Sequence, residues 1–392
     1  MAQDQKPEDK TSNLNIPQET ASAAQDFSQT TTEKTLEATI VKGDIIKYID
    51  VAVTRNASDL HLVAGVKPTI RIDGKLIPID SEKPLSPMDI VNVLKAFVPA
   101  EQLKRLQEKR ELDFSFGYKD KMRFRVNLFY QRGNISAALR LIPYKIKSIS
   151  ELKLPPIIEK FAMASQGFVI VTGPTGHGKS STLAALVDHI NKHRNAHVVT
   201  IEDPIEYVFS NNKSIIQQRE VYSDTLSFSR ALRSVLREDP NVVLVGEMRD
   251  LETIETALTV AETGHLVLTT LHTNNAAQTA DRIIDVFPPH KQGQVRAQLA
   301  NVLLGVVSQR LIPRIDGGRA VASELMIADS AVRNVIREGK TYQLPNIIAT
   351  SVSEGMINLD KVLADLVSRG EISIDDALVW ANDPKSLKMN IY

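Results

Sequence analysis

Up to residue 42 the chain is poor in large apolar side chains: Gln, Thr, Ser, Asp and Glu dominate, with scattered Ala. Such a segment cannot bury enough apolar surface to offset the entropy of ordering, so residues 1–42 are expected to be a disordered tail. From Gly43 the pattern changes. "DIIKYIDVAVTR" sets Ile45, Ile46, Ile49 and Val53 at helical spacing, and "SDLHLVAG" and "KPTIRIDGKLIPI" then alternate apolar and polar positions, with Asp73-Gly74 as a hairpin signal. "SPMDIVNVLKAFVPAEQLKRLQEKR" reads as helices, and "ELDFSFGYKDKMRFRVNLFYQRGNISAALRLIP" as three strands joined by polar turns. These elements predict a small α+β domain over residues 43–143, followed by a linker over 144–153.

Beyond the linker, short β-rich runs ("GFVIVTG", "HVVTIED", "NVVLVGE", "HLVLTTLH") alternate with helical stretches. Strands that are apolar on both faces and separated by helices predict a parallel sheet covered on both sides, an α/β domain over 154–392. From about Asp316 one more strand, "GRAVASELMI", precedes several short helices. No internal repeat occurs at a fixed period.

Composition narrows the function classes. The 392 residues, 43% of them hydrophobic, suffice for two domains. Lys+Arg and Asp+Glu both number 47, so no global positive field recruits nucleic acid or anionic lipid. There is no cysteine, which removes disulfides, cysteine nucleophiles and thiolate zinc sites. No run approaches the ~18 apolar residues of a membrane span, and the first residues lack the basic and apolar regions of a signal peptide; the expectation is a cytosolic protein without membrane insertion.

The chemistry starts at "VTGPTGHGKSSTLAAL". Gly173, Gly178, Lys179 and Ser180 fit G-x-x-x-x-G-K-[ST] between a predicted strand and a predicted helix. The loop Gly173, Pro174, Thr175, Gly176, His177, Gly178, Lys179, Ser180 and Ser181 is expected to wrap nucleotide phosphates with backbone N–H groups. Lys179 would neutralise the outer phosphates, and Ser180 would offer a hydroxyl to Mg²⁺. Hydrolysis further needs a carboxylate near the metal and a group that activates water. Two places supply carboxylates: "VVTIEDPIEY", with Glu202, Asp203 and Glu206, and "VVLVGEMRD", with Glu247. Both lie at strand C-terminal ends, where α/β sheets bind ligands, and the pattern leaves their division of labour open.

His265 and His272 flank one predicted strand; an odd separation points them to opposite faces, so they are not a metal pair. His189 and His193, four apart on a helix, read as a solvated face without a third ligand. In the small domain Arg123 and Arg125 share one face of a strand, with Arg140 on the next. A solvated strand face accounts for them; their functional reading is to reach a neighbouring subunit's γ-phosphate, which requires an oligomer.

"GPTGHGKSST", "TIEDPIEY", "LREDPNVVLVGEMRD" and "AETGHLVLTTLHT", in this order, resemble the secretion and type IV pilus ATPases, and "ASDLHL" and "AVRNVIRE" narrow the likeness to the twitching-motility retraction ATPases. It covers about residues 44–370. The resemblance implies a PAS-like N-terminal domain joined to a RecA-like ATPase domain, six chains in a ring, and ATP with Mg²⁺ as ligands. It implies pilus machinery and an inner-membrane platform protein as partners, and a cytoplasmic, membrane-peripheral place at pilus bases. Glu206 then corresponds to the general base, Glu247 to the residue on the Mg²⁺ side, and His265 and His272 to the family's histidine box; Arg125 and Arg140 fall near small-domain arginines that reach nucleotide. "AVRNVIRE" would place Val332, Val335 and Ile336 on one helix face and offer Arg333 and Arg337 to a partner or neighbouring subunit. His177 departs from the family, which has a small residue there, and is expected to tune nucleotide affinity. Pilus-assembly and secretion ATPases of the same superfamily carry a four-cysteine zinc module that this chain lacks. An accessory retraction paralogue shares all the catalytic motifs, and a non-hydrolysing nucleotide-binding scaffold is opposed by the intact Lys179, Ser180, Glu206 and Glu247.

Overall fold

The structure is a computed structural model that describes residues 44–72, 74–118, 122–142 and 145–391. The expected tail and Asp73 of the hairpin turn lie outside the described residues. The first half comprises α1 (Asp44–Thr54), β1 (Asp59–Leu62), β2 (Thr69–Ile72), β3 (Lys75–Pro78), α2 (Pro87–Lys95), α3 (Ala100–Lys109), β4 (Glu111–Tyr118), β5 (Met122–Gln131) and β6 (Asn134–Ile142). Its six strands form one antiparallel sheet in the order β3-β2-β1-β6-β5-β4. Period-2 alternation decides which face is buried: Phe124, Val126 and Leu128 of β5 join Leu112, Phe114 and Phe116 of β4 in a core with Ile45, Ile49 and Leu94 of the helices. The intervening residues Arg123 and Arg125 therefore occupy the other face.

The second half comprises α4 (Ile158–Met163), β7 (Gly167–Thr172), α5 (Lys179–His193), β8 (His197–Glu202), β9 (Ile215–Glu220), α6 (Phe228–Val235), β10 (Val242–Val245), α7 (Leu251–Glu262), β11 (Leu266–Leu271), α8 (Ala276–Asp285) and α9 (Pro289–Val302). It continues with β12 (Leu303–Pro313), β13 (Arg319–Ile327), α10 (Ser330–Glu338), α11 (Leu344–Thr350), α12 (Leu359–Ser368), α13 (Ile374–Trp380) and α14 (Pro384–Ile391). The sheet order is β13-β12-β7-β11-β10-β8-β9, parallel throughout except for β13. Every residue of β7, β10 and β11 is buried, as a sheet covered on both faces requires. Because Thr172 pairs with Leu271 and Val245 with Ile201, the C-terminal ends of β7, β11, β10 and β8 lie side by side on one edge.

Two of these strands, β9 and β12, are not signalled by the sequence pattern. β9 is an edge strand reading Ile-Ile-Gln-Gln-Arg-Glu, and β12 begins at Leu303 directly after α9 ends at Val302, with no turn residue between them. The expected linker is not slack either. Ile149 and Leu154 are buried with Ile158, Phe161, Leu183 and Leu186, so this segment belongs to the core of the larger domain.

α10 carries the "AVRNVIRE" motif between an Asp329 N-cap and a left-handed Gly339 C-cap, with Val332, Val335 and Ile336 buried on one face. The expectation that Arg333 meets a partner is corrected. Its guanidinium donates to the carbonyls of Ala300 (2.5 Å), Asn301 (2.6 Å), Leu303 (2.8 Å) and Ala328 (2.8 Å). Arg333 thus caps the C-terminal end of α9, where orphan carbonyls attract a cation. Arg337 stays exposed, 3.4 Å from Asn301 Oδ1.

Candidate active site

The loop between β7 and α5 is built for close approach. Gly173, Gly176 and Gly178 all have positive φ, and a Cβ on Gly173 would sit 2.4 Å from the Gln309 carbonyl oxygen. α5 starts without a side-chain cap, so the N–H groups of its first turn and the positive end of its dipole face the loop. Lys179, only 8% exposed, donates to Gly173 O (2.9 Å) and Pro174 O (3.0 Å). Burial lowers the pKa of its ammonium, with Glu247 and Glu206 opposing that shift. These features fit an anionic phosphate chain.

The loop opens on a cleft of about 510 Å³ between the two sheets, lined by Ser180, Glu206 and Glu247 and, from the small domain, by Arg125 and Arg140. Arg125 and Arg140 are cross-strand partners on β5 and β6 and reach the cleft of their own chain. Within one chain they are therefore placed to face a nucleotide bound in this cleft. Arg140 is held by Asp59, at 3.0 Å, and Asp59 also lies 3.6 Å from Arg71. This gives the "ASDLHL" motif a physical job: its aspartate aims an arginine.

At the end of β8, Glu202 accepts from Thr200 Oγ1 (2.7 Å), Gln218 Nε2 (3.2 Å) and the Glu206 N–H (3.3 Å), and burial pushes its pKa up. Asp203 precedes a cis Pro204; its pKa is raised by burial, against the pull of Arg125 and Arg249. At the end of β10, Glu247 pairs with Arg249 and lies 3.4 Å from His272 Nε2.

The two histidines part company. His272 follows β11 and lines the cleft. His265 precedes the same strand, so the strand's whole length, ~20 Å, separates it from the cleft edge. Its Nδ1 lies 3.0 Å from Val260 O and 3.1 Å from Thr263 Oγ1. The histidine box expects a catalytic role for His265; within the chain its ring ties the start of β11 to the end of α7. His189 and His193 stack on each other at 4.2 Å.

Sequence reasoning missed Glu220. It closes β9, is 5% exposed, and through Oε2 alone accepts from Ile205 N (3.0 Å), Arg123 Nη2 (2.9 Å) and Ser115 Oγ (2.6 Å). One carboxylate oxygen thereby joins the small domain to the loop that carries Glu206. The only signal available was an acid ending an unremarked strand.

The chain matches the family described as Type II/IV secretion system protein over residues 34–335. It belongs to that family. It is 47% identical over 343 residues to the type IV pilus retraction ATPase PilT of Pseudomonas aeruginosa, covering 88% of this chain and 99% of that protein. A twitching motility protein of Neisseria gonorrhoeae is 44% identical over 351 residues, 89% of this chain and 94% of the relative. A crystal structure of the pilus retraction motor PilT with bound ADP agrees at a TM-score of 0.83 and 46% identity, covering 89% of this chain and all of that one. The two sheets are accordingly those of the family's N-terminal domain and RecA-like ATPase domain.

Proposed function

We propose that this chain is the ATP-hydrolysing motor of type IV pilus retraction and that it turns over ATP in the cleft between its two sheets. The observation that carries the reading is convergence: the phosphate loop, Glu206, Glu247, Arg125 and Arg140 border one cavity although they come from five separate segments. Backbone N–H groups of Gly176–Ser181 and the Lys179 ammonium hold the phosphates of ATP. Ser180 and Glu247 offer a hydroxyl and a carboxylate, the hard oxygen donors that suit Mg²⁺ bound jointly with substrate phosphates. Mg²⁺, when bound, spreads the phosphate charge. Glu206 is the general base that accepts the proton of the attacking water, its backbone held by Glu202 and its loop by Glu220. Arg125 and Arg140 compensate phosphate charge from the small-domain side.

The working unit is a ring of six copies at the cytoplasmic face of the membrane, acting on the pilus machinery through an inner-membrane platform protein. Among the described residues no helix is long and apolar enough to cross a membrane. Lys179→Ala decides whether this loop is the active site. It leaves the phosphate charge uncompensated and is expected to abolish ATP turnover in a phosphate-release assay and to stop twitching in cells. Normal turnover by this variant would overturn the assignment.

A further inference from the structure

The phosphate loop is gripped by a third part of the fold. His177 Nδ1 accepts the Leu311 N–H of β12 at 3.0 Å, and the imidazole meets the Trp380 ring edge-on, with centroids 4.8 Å apart and planes at 62°. Trp380 ends α13 and is the one tryptophan of the chain. Beneath it the Arg310 guanidinium lies 5.9 Å from the indole centroid and is itself anchored on the carbonyls of Gln309 and Asn274. The segment after Trp380 is fastened as firmly. Asn382 and Asp383 donate backbone N–H groups to Asp360 at 2.8 and 3.0 Å, and Asn382 Nδ2 donates to Glu324 Oε2 at 2.8 Å. Glu324 Oε1 accepts the Ala276 N–H, at the start of α8, at 2.9 Å. The C-terminal segment therefore contacts the loop after β7 directly and is linked, through Glu324, to the loop that follows His272.

We propose that Trp380 is a positioning residue for nucleotide: by bracing His177 it holds the phosphate loop in its binding conformation, so the C-terminal helices set nucleotide affinity. A loop with glycines at three positive-φ positions loses much entropy when it is ordered around phosphates. A side chain pinned on one edge by a hydrogen bond and on the other by an aromatic ring removes part of that loss before the ligand arrives, which is how preorganisation raises affinity. His177 has no need to touch the phosphates to act in this way.

The inference rests on the nucleotide reading of the cleft and is tested on the full-length protein with ADP as the probe. Trp380→Ala is expected to weaken ADP binding by about threefold to tenfold, the range set by one aromatic contact. Trp380→Phe, which keeps a ring against His177, should recover most of the loss. His177→Ser should weaken binding in the same range, and the double variant should bind no more weakly than the weaker single variant, because both remove one brace. ADP should change the emission of Trp380 in the natural chain, and His177→Ser should suppress that change. Unchanged affinity in Trp380→Ala, or fully additive losses in the double variant, would overturn the proposal. Should Trp380→Ala fail to fold, His177→Ser and its tryptophan emission carry the test. A natural chain that binds no ADP would sink the nucleotide reading itself, a result distinct from normal binding with insensitive variants.

Discussion

The ends of β8 and β10 are neighbours in one parallel sheet, yet they treat their carboxylates in opposite ways. At β8, Glu202 is buried among neutral donors, and burial pushes it and Asp203 toward the protonated state. At β10, Glu247 has Arg249 paired to it and His272 3.4 Å away. The same position in the topology thus yields one place where burial favours the protonated carboxyl and one where an arginine and a histidine sit beside the carboxylate. We propose proton transfer at the first, through Glu206, and metal support at the second, through Glu247, a division that residue types alone leave open.

The largest effect should come from Glu206→Gln, which keeps shape but removes the basic oxygen. Steady-state turnover is expected to fall by ~10²–10⁴-fold while ADP binding persists. Near-normal turnover would move the base elsewhere and erase the contrast. Glu247→Gln should act on the metal instead, raising the Mg²⁺ concentration for half-maximal activity by roughly 10–100-fold. A Mg²⁺ titration that matches the natural chain, with only a lower plateau, would give both strand ends the same role.

The smallest effect on activity is expected of Glu202→Gln, an isostere of the protonated side chain. Its readout is stability against pH. The folded-state pKa of Glu202 lies above its ordinary 4.5, so the folded chain holds a proton that the unfolded chain has released, and stability falls as pH rises through the folded value. Below 4.5 both states are protonated and the contribution is complete. Urea midpoints of the natural chain should therefore drop, relative to Glu202→Gln, between acidic and neutral pH. Parallel curves for the two proteins would show that burial does not hold the proton there.

Much of this site is legible in the sequence because its chemistry is local. The phosphate loop occupies consecutive residues, and "VVTIED" and "VVLVGE" each declare a buried strand and its acid in one short run. What escaped is what depends on distant partners. Glu220 gains its meaning only when β9 is laid beside β8 and Ser115 and Arg123 arrive from the other sheet. Arg333 looks like a surface charge until its hydrogen bonds to the end of α9 are seen. The odd spacing of His265 and His272 points to opposite faces, but the strand's length matters more, since it puts them at opposite ends. Apolar periodicity found β7, β8, β10 and β11; it missed β9 because an edge strand need not be apolar, and β12 because no turn residue separates it from α9.

Glu220 has a mechanical consequence. Its Oε2 takes two of three donors from the small domain, and its side chain is 7% exposed. Swinging the small domain away would break both of these bonds and expose the carboxylate to water, leaving it the Ile205 N–H and Ser223 Oγ within its own domain. The hinge between the two sheets is therefore not a free bearing. Any separation of the two domains must first break the Ser115 and Arg123 contacts to this one carboxylate oxygen, which act as a catch. The same oxygen holds the loop that carries Glu206, so the catch that holds the posture and the site that spends the fuel share a backbone.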